Sequence, residues 1–100
     1  MSDLSIEDFD GIDSYIIGAS RDGKDAYEVD SLALEALSRT LRLLRQLPPD
    51  DLWWVYKRVL WIGNYIGEAL AATTLDEKRA SLDKAYDEYV EAVALFEESR

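Results

Sequence analysis

Cysteine and histidine are both missing from this chain of 100 residues. Without cysteine there is no disulfide framework and no thiolate metal site, so packing alone must hold the fold, as suits a reducing compartment. Without either residue the usual general base, thiol nucleophile and zinc ligands are gone as well. Glycine is scarce, with five residues, and the stretch "RDGK" at 21–24 has one glycine and no helix signature behind it, so no phosphate-cradling loop is present. No loop carries oxygen ligands at calcium spacing. A carboxylate-only mechanism needs pairs held in a cleft, and the acids here fall mostly on outward helix faces. The sequence therefore predicts a protein that is not an enzyme and that uses no cofactor and no metal.

A long uninterrupted apolar run is lacking too. Residues 52–72 come closest, but Lys57, Arg58, Asn64 and Glu68 interrupt them, and burying those groups in lipid is costly, so no membrane span is expected. The opening "MSDLSIEDFD" has neither the basic nor the apolar region of a secretory signal, which makes the cytoplasm the expected location. Positive charge is in short supply: 11 bases stand against 21 acids, a net charge of −10. Direct binding to nucleic acid is disfavoured, because affinity there comes mainly from cations that neutralise phosphates. Five of those bases form one belt within residues 39–58, as Arg39, Arg42, Arg45, Lys57 and Arg58, where only two acids stand against them.

What the chain does have is apolar surface, at 48% of residues, enough for a single compact domain over 1–100. Three helices are predicted, at about 31–46, 50–72 and 75–98, forming a small, mainly α bundle through short connections. In the first, Leu34, Leu37, Leu41 and Leu44 recur on one face behind an N-cap at Asp30 or Ser31, and Pro48 and Pro49 end it. In the third, Thr74 and Glu77 form a capping box, and Leu82, Tyr86, Tyr89, Val93 and Phe96 follow in four-three-four-three steps. Residues 5–29 admit two readings. Asp22-Gly23 between aromatic and β-branched residues signals a β-hairpin. Ser5 with Asp8 and Asp25 with Glu28 resemble helix starts instead, with Ile6, Phe9 and Ile16 facing inward from a short helix ending at Gly18.

The middle helix carries all three tryptophans. At 100° per residue its core face runs through Val55, Val59, Ile62 and Ile66 and out to Leu60 at its edge, while Trp54, Trp61 and Tyr65 share the opposite side with Lys57, Arg58, Asn64 and Glu68. Either residues 1–30 fold over these rings, or Trp54, Arg58, Trp61 and Tyr65 stay exposed as a ridge for another protein or for a second copy of the chain. Trp, Tyr and Arg are the residues enriched in binding hot spots, and clustered apolar patches are rare on monomers without a use for them. Gly63, Gly67 and Ala71, at four-residue steps, let a neighbouring backbone approach, from within the bundle or across a dimer seam.

Two charge stripes complete the pattern. Asp76, Asp83, Asp87, Glu91 and Glu98 share one side of the third helix, as a solvated face or as a mimic of nucleic acid aimed at a basic partner. Arg39, Arg42 and Arg45 line the first helix, paired with carboxylates of the third helix or the N-terminal segment, or facing an anion or an acidic partner. The function these features predict is a protein-binding module that inhibits or regulates another protein, with a structural homo-oligomer as the alternative and an acidic DNA mimic as the minor one.

Overall fold

A computed structural model describes residues 4–99 of the chain. Its elements are a 3-10 turn at Ile6–Phe9, α1 (Ile12–Ile17) running on into a π-helical turn at Gly18–Asp22, α2 (Ala26–Gln46), α3 (Trp53–Ala71) and α4 (Leu75–Glu98). No strand occurs among the described residues, so the expected hairpin gives way to the helical reading of the N-terminal segment. The reason lies at Asp22-Gly23. Gly23 sits at φ −65°, which any residue adopts, and closes the π turn by donating to the Gly18 carbonyl at 3.0 Å. Glycine is required there for space, because a Cβ would collide with the Val29 side chain. The glycine that does use positive φ is Gly11, at +92°, where the 3-10 turn breaks into α1.

Helix starts and stops follow local chemistry. Asp25 caps α2 by accepting from the Glu28 N–H at 2.8 Å, so α2 begins about five residues before the expected 31 and Asp30 lies inside it. Pro48 and Pro49 hold the α2–α3 connection open, and the Leu52 N–H donates to the Pro48 carbonyl at 3.0 Å, so α3 begins at Trp53 rather than at 50. Thr74 accepts from the Glu77 N–H at 3.2 Å and starts α4 where its capping pattern says.

α2, α3 and α4 run antiparallel in sequence, with α3 packed on both neighbours, while α2 and α4 barely touch. The N-terminal segment fills the remaining quarter, between α2 and α4 and diagonally across from α3. Phe9, Ile12, Ile16 and Ala19 point into the core from there, and the Phe9 ring lies 5.0 Å from that of Phe96. Close approach is possible because α2 offers small residues. Its buried stripe is Val29, Ala33, Ala36, Thr40 and Leu43, and the Thr40 hydroxyl satisfies itself on the Ala36 carbonyl at 2.8 Å. The leucine stripe expected on one face divides, with Leu37 and Leu44 packed against the core and the other two turned outward. Leu34 is 56% exposed and Leu41 45%, with Leu37 and Leu44 half-buried beside them.

Polar contacts close the ends. The Lys78 side chain, only 5% exposed, donates to Asp30 at 2.9 Å and to the Ala69 and Leu70 carbonyls at 3.2 and 3.3 Å. It thus joins α2, α3 and α4 and caps the end of α3, where a cation also suits the helix dipole. The N-terminal segment is pinned to α4 by Ser20 donating to Asp83 at 2.7 Å, Arg79 to the Gly23 carbonyl at 2.8 Å, and Tyr89 to the Phe9 carbonyl at 3.3 Å. Burial first, then the Asp13, Asp10 and Tyr86 charges, push the Tyr89 phenol up from 10.0 to about 12.

Two outcomes follow for stability. Lys78→Met keeps the stem but strands the Leu70 carbonyl, leaves the Ala69 carbonyl with only the Ala72 N–H at 3.3 Å, and frees an aspartate that can rehydrate; it should cost about 2–3 kcal/mol, less than a fully buried pair. That loss lowers Tm by about 10–20 °C for a domain of this size. Lys84→Met on the exposed side of α4 should leave Tm nearly unchanged, and equal effects would refute the anchor. For Tyr89, both states are neutral below pH 10; above it the unfolded chain ionises first, so stability falls as pH climbs toward about 12. Tyr89→Phe should flatten that loss in urea titrations between pH 9 and 11, while an unaltered slope would show that other groups drive it.

Candidate functional site

α3 is apolar on two sides. Val55, Val59, Ile62, Ile66 and Ala69 are buried and complete the core. On the outer side Trp53 is 49% exposed, Trp54 66%, Leu60 43% and Trp61 42%. The N-terminal segment does not cover these rings, as one reading expected, because it sits diagonally across the bundle from α3. The covering groups that exist are few. The Lys57 ammonium stands 5.7 Å from the Trp54 ring, Trp53 stacks on Tyr56 at 6.2 Å, and Trp61 leans on Tyr65 at 5.8 Å.

The four expected ridge residues therefore divide. Trp54 and Trp61 are exposed; Tyr65 is half-buried at the α4 border, with the Lys84 ammonium 6.0 Å from its ring. Arg58 is engaged, its guanidinium donating to both carboxylate oxygens of Glu88 at 3.1 and 3.3 Å. Sequence reasoning missed Trp53, and it placed Leu60 on the core side. A signal for both was there: 53, 57, 60, 64, 67 and 71 repeat in four-three-four-three-four steps, a second stripe beside the core stripe. On α2, Leu34 and Leu41 extend the apolar surface. They flank Leu37, whose Cδ1 is 3.9 Å from where a Gly63 Cβ would lie. Of the small-residue row only Gly63 meets another helix. A Cβ at Gly67 would touch nothing within 4 Å, and Ala71 is exposed.

At its N-terminal end the aromatic face opens into a cleft of about 240 Å³ between Trp53, Trp54 and Leu52 of one helix start and Leu95 and Glu98 of the α4 end. The cleft is apolar along most of its wall and can seat one hydrophobic side chain.

The charge stripes behave differently from each other. Asp76, Asp87, Glu91 and Glu98 are exposed along α4, whereas Asp83 is committed to Ser20. Arg39 pairs with Glu35 on its own helix at 3.4 Å and lies 4.9 Å from the Tyr15 ring, so it braces the N-terminal segment and pairs with no α4 carboxylate. Arg39 and Arg42 both border a small polar cleft with Glu7, Asp8 and Asp10 of the N-terminal segment, while Arg45 is exposed apart from it, so the stripe does not converge as a whole. No three carboxylates among the described residues come close enough together to hold a metal ion. No helix among them is long and apolar enough to cross a membrane. Compared with known proteins, the chain matches no family, no curated sequence and no solved structure.

Because the rings contribute little to the core, Trp54→Ala should change folding stability by no more than about 0.5 kcal/mol, as at other surface positions. Val59→Ala, which empties a buried site, should cost about 1–3 kcal/mol. Tryptophan emission of the free chain should be red-shifted and quenched by acrylamide. A large loss of stability in Trp54→Ala would mean that the ring belongs to the core.

Proposed function

We propose that this chain is a non-catalytic protein-binding module, and that another polypeptide covers the outer side of α3. It acts by what it holds against that face and not by chemistry. The observation that carries this reading is the cluster of Trp53, Trp54, Leu60 and Trp61, all exposed on a helix whose core side is already complete. Such a patch costs solubility unless it is covered, and tryptophan is the residue that most often anchors a protein interface. The charges agree with it. Lys57 lies beside the rings and Arg58 is neutralised by Glu88, while Asp76, Asp87 and Glu91 line α4, so in a chain that is −10 overall the aromatic face is not itself strongly acidic. The α4 carboxylates then serve to keep the protein soluble.

The test is local. A photo-reactive phenylalanine analogue at position 61, in the cell that makes the chain, should yield a covalent adduct with a polypeptide. The same analogue at the exposed position 14, on the far side of the bundle, should yield none. Absence of any adduct from 61, or equal labelling from both positions, would overturn the reading.

A further inference from the structure

We infer that the partner covering the outer side of α3 is a second copy of this chain, docked with the two α3 helices antiparallel about a twofold axis level with Ile62 and Gly63. This rests on the reading that the aromatic face binds a polypeptide, and it follows from how that face is laid out along the helix.

Charge comes first. Lys57 and Glu68 are both exposed on the outer side of α3, and among the described residues neither has an ion-pair partner. Eleven residues apart, they are separated by roughly 16 Å along the axis and cannot reach each other. An antiparallel second copy turned about the point midway between them brings Lys57 of each chain level with Glu68 of the other, making two pairs at once. A parallel copy would set lysine on lysine and glutamate on glutamate.

Shape points the same way. The N-terminal half of the face is bulky, with Trp53 and Trp54, and the C-terminal half is shallow, with Gly67 open to solvent and Ala71 exposed. Antiparallel docking lays the tryptophans of one copy over the shallow end of the other, while Leu60, Trp61 and Asn64 meet near the axis. The 53-57-60-64-67-71 stripe has the spacing that lets one helix seat against another along its whole length. An isologous contact of this kind is self-limiting and closes as a dimer.

The wider charge distribution selects this face too. Two chains of −10 repel wherever their acidic surfaces meet. The outer side of α3 is balanced, with Lys57 against Glu68 and Arg58 already neutralised by Glu88. The face is about 28 Å long on a bundle 18 Å wide, roughly 500 Å² on each copy, which reaches the ~1,000 Å² in total that a specific interface needs.

Sedimentation equilibrium of the full chain across a range of concentrations tests the inference. The wild type should show a monomer–dimer equilibrium. Lys57→Glu and Glu68→Lys should each weaken it by about tenfold, since each converts two attractive pairs into two repulsive ones. The double variant, with the charges exchanged, should return to within about threefold of wild type, because only contacts between copies are restored by the exchange. Ala71→Trp, at an exposed position, should abolish the dimer while leaving helicity and Tm unchanged. A wild type that stays monomeric, or a double variant no better than the singles, overturns the inference. Adducts from position 61 that contain only a foreign polypeptide overturn it while sparing the interaction reading, and the absence of any adduct removes both.

Discussion

The ammonium group of Lys78 finds its three acceptors on two different helices, and the alignment of the bundle depends on their meeting there. α3 ends at Ala71 without the glycine that commonly closes a helix; Ala72 is extended, and without a donor the Leu70 carbonyl would be orphaned at that end and the Ala69 carbonyl left with only a 3.3 Å bond from the Ala72 N–H. A cation supplied by α4 solves this problem and spends its remaining proton on Asp30 of α2. Since Lys78 is in phase with Leu82, the core stripe of α4 cannot slide along α3 without pulling the ammonium off its acceptors. Apolar packing tolerates such sliding far better, because one methyl contact is much like another. The polar anchor thus sets the heights of the three long helices, and the apolar stripes fill in around them.

With those heights fixed, α3 has to satisfy two neighbours and the core on about half of its circumference. Val59, Ile62 and Ile66 do so fully, and the Arg58–Glu88 pair seals the α4 border. The outer half is then free of any folding duty, which is why its tryptophans stand out. Local sequence and global fold agree almost everywhere else in this chain, and a departure of this kind marks the part of the molecule shaped by something other than its own stability.

Legibility in the sequence tracked how many independent signals agreed at one place. At α4 a capping box and a long regular stripe pointed to the same start, and the helix is where they put it. At α2 two stripes of equal regularity compete: Leu34, Leu37, Leu41 and Leu44 against Val29, Ala33, Ala36, Thr40 and Leu43. Hydrophobicity favours the first and the fold uses the second, because only small side chains let the N-terminal segment and α3 approach together. That choice is invisible until the neighbours are known. Asp22-Gly23 misled for a similar reason, its glycine serving close packing against Val29 rather than a reversed turn. Lys78 was legible in principle, as a charge standing in phase with an apolar stripe. The exposure of Trp54 and Trp61 was not, since periodicity tells that two sides of a helix differ but not which quarter of the bundle an N-terminal segment will take.

The placement of that segment also sets a timetable for synthesis. Phe9, Ile12 and Ile16 leave the ribosome well before the groups that hold their segment, Arg79, Asp83 and Tyr89, are made. The α2–α3 and α3–α4 hairpins close over short loops and can form as soon as each helix is released, whereas seating the N-terminal segment means closing the chain over 56 to 80 residues. Through most of translation, then, a short apolar stretch waits without its seat. The three acids at Glu7, Asp8 and Asp10, set directly around Phe9, keep that waiting stretch dispersed in water until α4 arrives to receive it.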